Sequence, residues 1–227
     1  SMKNKFLGCQ ILILCIFLLA GCKHVDDKFI SEGRIEYDVV VVNDEGSAMA
    51  NMIPNKMTIK FKNNKSSATM SAGMGLFATS FISNPETGTH TICMKLLNKK
   101  LVAVQNSFDI ERENNEFAYD LVPTKETKLI AGYTCLKVHV KPKREDQKEF
   151  DIYYTKELDF TNPNFANPFY KIDGVLMQYQ IKKMGFELRF TATSVTKEDV
   201  EDENFTYTAD HKKITNKEMN DIFKDLQ

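Results

Sequence analysis

The chain has 227 residues, with 30 Lys and Arg against 31 Asp and Glu, for a formal net charge of −1. No basic surplus exists to hold a polyanion, so nucleic-acid binding is excluded as the main task. The length suits one domain with a sizeable core, and no repeat period or long low-complexity linker divides it.

The leader comes first. Ser1 precedes Met2 and reads as a cloning remnant. Lys3 and Lys5 form a positive start, and an apolar run follows to Ala20, densest from Ile11. As a helix, residues 6–20 would cover about 22 Å, short of a bilayer core of about 30 Å, which favours a signal peptide over a permanent span. The run ends Leu18-Leu19-Ala20-Gly21-Cys22. That ending resembles the lipobox of bacterial lipoproteins. The resemblance implies cleavage before Cys22, lipidation of its thiol, acylation (palmitate-like) of its amine, and stable anchoring through several acyl chains. Residues 1–21 are then the signal peptide, 22–30 a lipidated tether, and 31–227 a single domain. Loss of Lys3 and Lys5 leaves 28 basic against 31 acidic residues, or −3. Lys23 rather than an aspartate follows the cysteine, which under the sorting rule of such lipoproteins leans toward the outer membrane. Asp26 and Asp27 resemble a surface-export signal, so the periplasmic and surface-facing orientations both stay open.

Alternation dominates the rest. In "KMTIKFK" (56–62), Met57, Ile59 and Phe61 alternate with Thr58, Lys60 and Lys62, the period of a half-buried strand. About ten such segments follow one another, from "GRIEYDVVVV" (33–42) to "FELRFTATSV" (186–195). The gaps carry turn residues, among them Asn63-Asn64, Pro85-Glu86-Thr87-Gly88 and Asp173-Gly174. Residues 162–174 read as an irregular connection. Thr215, with Glu218 three residues on, forms a capping box for a closing helix whose stripe is Met219, Ile222, Phe223 and Leu226. The pattern predicts a mainly β fold built on a large antiparallel meander.

"TKETKLIAGYTCLKVHV" (124–140) resembles the turn-and-strand signature of a family of secreted bacterial proteins, domain-of-unknown-function family 4412. Lys128, Ile130, Ala131, Gly132, Tyr133, Cys135 and Lys137 carry the match. "FDIYYTKEL" (150–158), "IDGVLMQYQ" (172–180) and "NPETGTHTICMKLLNKKLVAVQ" (84–105) follow the family's order. The family is similar to the lipoprotein-carrier (LolA-like) superfamily. The resemblance implies an unclosed antiparallel β half barrel with a few covering helices and an apolar cavity. It implies no activity.

Six of the ten methionines lie between 49 and 94, and "TMSAGMGLFATSFI" (69–82) surrounds two of them. Methionine repacks around varied acyl chains. This segment is either a mobile lip contacting a ligand through Met70, Met74, Leu76, Phe77 and Phe81, or ordinary core. Beyond the leader and Cys22, Cys93 and Cys135 are the remaining cysteines. They either form one disulfide or stay as free buried thiols. Cys135 and His139 lie four strand residues apart, roughly 13 Å, too far for a nucleophile pair. Irregular Met, His90 and Cys93 spacing argues against a copper site, and the acidic run 197–205 lacks calcium-loop spacing. No catalytic residue, metal or cofactor is expected, and no hydrolase or phosphate-loop motif occurs. The expected function is a membrane-anchored envelope lipoprotein, not an enzyme, holding an apolar or amphipathic, lipid-like ligand in its hollow. The alternative is a structural or protein-interaction module without a small ligand, its protein partner unknown.

Overall fold

The computed structural model describes residues 28–42, 53–117, 119–145, 147–183 and 186–225. Twelve strands form one sheet in the order β12-β6-β5-β4-β3-β2-β1-β11-β10-β9-β8-β7. They are β1 (Glu32–Val41), β2 (Lys56–Lys62), β3 (Lys65–Ala72), β4 (Phe77–Asn84), β5 (Thr89–Leu96), β6 (Lys99–Gln105), β7 (Tyr119–Ile130), β8 (Tyr133–Pro142), β9 (Phe150–Thr155), β10 (Val175–Lys183), β11 (Phe186–Thr196) and β12 (Lys212–Lys213). Every pairing is antiparallel except the short β12–β6 contact. Helices α1 (Ser107–Phe117) and α2 (Asn216–Asp225) complete the fold.

The chain itself forces the sheet to curl. β6 and β7 stand ten steps apart in the strand order, an arc of about 48 Å at about 4.8 Å per step. Only residues 106–118 join them, and most of these form α1, which spans about 16 Å, or about 25 Å with its extended flanks. A chord of half the arc demands strong curvature, and α1 must cross the concave side. Phe117 accordingly packs into the main core with Tyr37, Val39 and Phe190. The result is an unclosed half barrel, the architecture the family resemblance implies.

Register places one apolar set on that inner face: Ile35, Tyr37 and Val39; Met57, Ile59 and Phe61; Ala68 and Met70; Phe77, Thr79 and Phe81; Ile92 and Met94; Leu188 and Phe190. The fully buried Tyr37 hydroxyl donates to Leu176 O at 2.8 Å, tying β1 across to β10. Burial pushes its ionisation well above the ordinary tyrosine value, so it remains a donor. Two-residue turns between strands follow the sequence: Asn63-Asn64 and Ala131-Gly132 all hold positive φ, the geometry of a tight hairpin.

Three points differ from the periodicity reading. Residues 65–72 form β3, which overlaps the start of the segment read as a lip; its small Ser, Ala and Thr side chains hide the alternation. Helix α1 was not foreseen. Its inward face is mostly polar, so no apolar stripe marks it. Ile30 is already buried and Lys28 docks on Gly132 O at 2.7 Å, so residues 28–30 lie against the body instead of serving as free tether. Cys22, Leu226 and the leader fall outside the described residues.

The outer strand β7 is guarded. It carries Pro123 and an irregular stretch between Pro123 and Thr127, with Lys125, Glu126 and Lys128 exposed. Proline, bulge and charge are the usual devices against edge-to-edge pairing. Replacing Tyr37 by Phe should cost about 1–2 kcal/mol in urea unfolding, because the Leu176 carbonyl loses its donor in a dry site.

Candidate functional site

The inner face is covered in three places. Phe160, in the 156–174 connection, stacks on Phe61 at 5.7 Å, and Phe169 packs with Val138, Val140, Ile152 and Leu176. Helix α1 covers the middle. Over β4–β6 the cover is α2 with Ile214 just before it, where Met219, Ile222 and Phe223 cluster with Phe77, Phe81, Ile92, Met94, Leu101 and Ala103. The expected capping box sets this helix. Thr215 N–H donates to Glu218 Oε2 at 2.7 Å, and Glu218 N–H donates to Thr215 Oγ1 at 3.1 Å. Only Met219 of its ten residues is buried.

Beneath α2 the floor is methionine-rich, and register sets Met70, Thr79 and Met94 side by side. Thr79 is fully buried, and its hydroxyl has no hydrogen-bond partner. The five residues expected to contact a ligand therefore divide in a definite way. Met70 belongs to the floor, and Phe77 and Phe81 lie half-buried against α2. Met74 and Leu76 are exposed at the β3–β4 tip.

Leu97, in the β5–β6 turn, joins that tip: its N–H donates to Leu76 O at 2.7 Å. Leu97 is 60% and Met74 wholly exposed. Both have positive φ, 54° and 53°, where bulky side chains are unusual and glycine or asparagine would be unstrained. An apolar lip thus stands at the end of β4 and β5, continuous through Phe77 with the covered floor.

Two cavities lie elsewhere. One of about 310 Å³ opens between α1 and the 156–174 connection, lined by Ser107, Ile110, Glu111, Asn114, Asn115, Phe165 and Tyr170. An adjoining space of about 250 Å³ shares Asn114, Asn115 and Tyr170 with it. None of the expected ligand contacts lines either one. Sequence reasoning missed this cleft, because α1, which forms one of its walls, carries no apolar stripe to mark it.

Of the two readings open for the remaining cysteines, the free buried thiols are the one found. Cys93 and Cys135 are free and buried, on β5 and β8, which stand far apart in the strand order. Burial pushes each thiol up to about 11. The Cys135 thiol donates to Tyr133 O at 3.4 Å within the main core, so the second face of β8 is covered at that point. The acidic run is largely exposed and is tied to the sheet at three points: Glu198 pairs with Arg34, Asp202 with Lys62, and Val200 N–H donates to Glu32 at 2.7 Å. Among the described residues no group of three His, Cys, Asp or Glu is placed to hold a metal, and no helix is long and apolar enough to cross a membrane.

No family model matches the chain and no curated protein matches it, so the resemblance to family 4412 rests on motif order. Solved structures do match at low similarity. A structure of MucB in complex with MucA(peri) is 10% identical, with a TM-score of 0.33, over 79% of this chain and 55% of that one. The Pseudomonas aeruginosa MucA/MucB complex is 10% identical with a TM-score of 0.35, over 81% and 58%. The chain thus spans little more than half the length of these structures, and similarity at this level carries no functional argument.

His139 sits on the outer surface, away from Cys135. Its Nδ1 meets Asp151 at 2.7 Å and its Nε2 meets Glu149 at 2.6 Å. These hydrogen bonds, Asp151 first, raise the imidazole above its ordinary value. The stabilisation is therefore complete below about pH 6.5 and fades as pH rises through the folded-state value. Asp151, lowered chiefly by His139, contributes above about pH 3.9 and fades as pH falls through its depressed value. An NMR titration should place the His139 midpoint above about 6.5, and Asp151→Asn should bring it down.

Proposed function

We propose that this protein is a non-enzymatic envelope lipoprotein, anchored through Cys22 to the outer membrane, that holds an apolar or amphipathic ligand such as a lipid in its half barrel. The observation that carries the reading is the cover over β4–β6. A continuous apolar face is closed there by one short helix with a single buried residue, beside an exposed apolar lip. Stable proteins bury such a face more thoroughly unless something else takes the cover's place. The ligand enters between the Met74–Leu76–Leu97 lip and the end of α2, and displaces Ile222 and Phe223 from the floor. Methionines 70 and 94 adapt to its shape. The Thr79 hydroxyl offers a polar contact in that floor.

The anchor gives the hollow a direction. The chain enters at Lys28, against the β7–β8 turn, at the end where β1 begins, and the lip lies at the opposite end. The length of β1, about 33 Å, separates the two. Six residues from Cys22 to Lys28 reach at most about 21 Å. The lip then faces away from the anchoring bilayer, toward whatever delivers or receives the ligand. The guarded β7 edge weighs against the alternative of a module that pairs strands with a protein partner.

Labelled palmitate should enter the wild-type chain in bacteria and be absent from Cys22→Ser; label retained in that variant would disprove the anchor. For the hollow, an apolar fluorophore such as N-phenylnaphthylamine is titrated into the purified full chain. Leu76→Asp with Leu97→Asp, both at exposed positions, should weaken uptake about tenfold without shifting the thermal midpoint. Phe223→Ala should strengthen it. Uptake unchanged in both would refute the reading.

A further inference from the structure

The cleft between α1 and the 156–174 connection has a chemistry unlike that of the hollow. Ser107, Ile110, Glu111, Asn114 and Asn115 lie on one side of α1 and line the cleft. Four of the five are polar; Ile110 and Asn114 are buried, while Ser107, Glu111 and Asn115 are exposed to the cleft and solvent.

The facing wall is rigid. Asn164, buried, donates from Nδ2 to Ile172 O at 2.9 Å and to Gly174 O at 2.8 Å, while its Oδ1 accepts from Asn167. Gly174 cannot be replaced, since a Cβ there would lie 2.5 Å from the Tyr154 ring and 2.7 Å from Thr155 O. Asn114 Nδ2 donates across the cleft to Phe165 O at 3.1 Å, which fixes the amide and turns Oδ1 to act as acceptor. Tyr170 stands 42% exposed at the junction of the two spaces.

The charges around the cleft are largely compensated. Lys143 pairs with Asp120 at 3.3 Å, and the Lys171 ammonium lies 5.7 Å from the Tyr170 ring centre. Glu111 is the single acid of the lining. No surplus charge selects an anion, and the wall mixes polar side chains with the apolar surfaces of Ile110, Phe165 and Tyr170. Side-chain amides, a hydroxyl and a carboxylate around an accessible aromatic ring match a ligand dense in hydroxyl groups with apolar C–H faces. The volume of about 310 Å³ lies at the lower end of ligand sites, roughly 300–1,000 Å³. We propose that this cleft binds a neutral oligosaccharide, seated on Tyr170 and held by Asn114, Asn115 and Glu111. The site is separate from the hollow under α2 and does not depend on it.

Calorimetry of the detergent-solubilised full chain with three neutral trisaccharides, chitotriose, maltotriose and cellotriose, tests this. At least one should bind saturably and protect residues 107–117 and 164–171 from hydrogen exchange. Tyr170→Ala and Asn115→Ala, both at exposed positions, should each weaken it about tenfold while N-phenylnaphthylamine uptake stays unchanged. The proposal is overturned if no trisaccharide binds at millimolar concentration, if affinity survives both substitutions, or if trialanine protects the same segments more strongly than the sugars.

Discussion

Helix α1 is a tie-bar. It joins two strands that lie at opposite margins of the sheet, and it is too short to do so unless the sheet curls around it. The curl creates an inside, and the period-two apolar residues of β1 to β5, β10 and β11 face it. Everything on that inside follows from the need to cover apolar surface: Phe160 and Phe169 from the 156–174 connection, Phe117 from the tie-bar, and Met219, Ile222 and Phe223 from α2. The covers are unequal. The region under Phe169 is an aromatic cluster in which that ring meets Tyr119, Phe150 and Tyr179. The region under α2 is flexible methionine and half-exposed phenylalanine. Local opening starts where buried contacts are few, and α2 is such a place.

The C-terminal segment makes the same point from outside. Phe205 and Tyr207 pack on Ile82, Cys93 and Val102 on the convex face, β12 runs along the edge of β6, and α2 then lands on the concave face. The chain wraps one margin of the sheet as a strap. Its outer part is held by the Glu198–Arg34 and Asp202–Lys62 pairs and by the Val200–Glu32 hydrogen bond. Displacing α2 therefore need not detach the strap or expose the edge.

Strands with a large–small alternation were legible because side-chain period alone fixes which face is buried. The capping box at Thr215 and Glu218 was equally legible, since its two hydrogen bonds are local in sequence. What escaped depended on tertiary placement. The small residues of β3 carry no contrast between faces, and α1 offers polar residues where a helix usually shows its stripe. The lip segment was half legible: Met70, Phe77 and Phe81 alternate as strand residues, while the exposure of Met74 and Leu76 follows from a turn geometry that composition does not reveal. Whether Cys93 and Cys135 pair stayed open for a related reason, since nothing in the spacing of two cysteines tells that seven strands lie between theirs.

Hydrogen–deuterium exchange across 216–225, with and without a lysophospholipid below its micelle concentration, tests the central claim that α2 is a replaceable cover. The account predicts that α2 amides lose protection on addition of the lipid while β4, β5 and β6 keep theirs. Unchanged or increased protection of α2, with the lipid demonstrably bound, would contradict it.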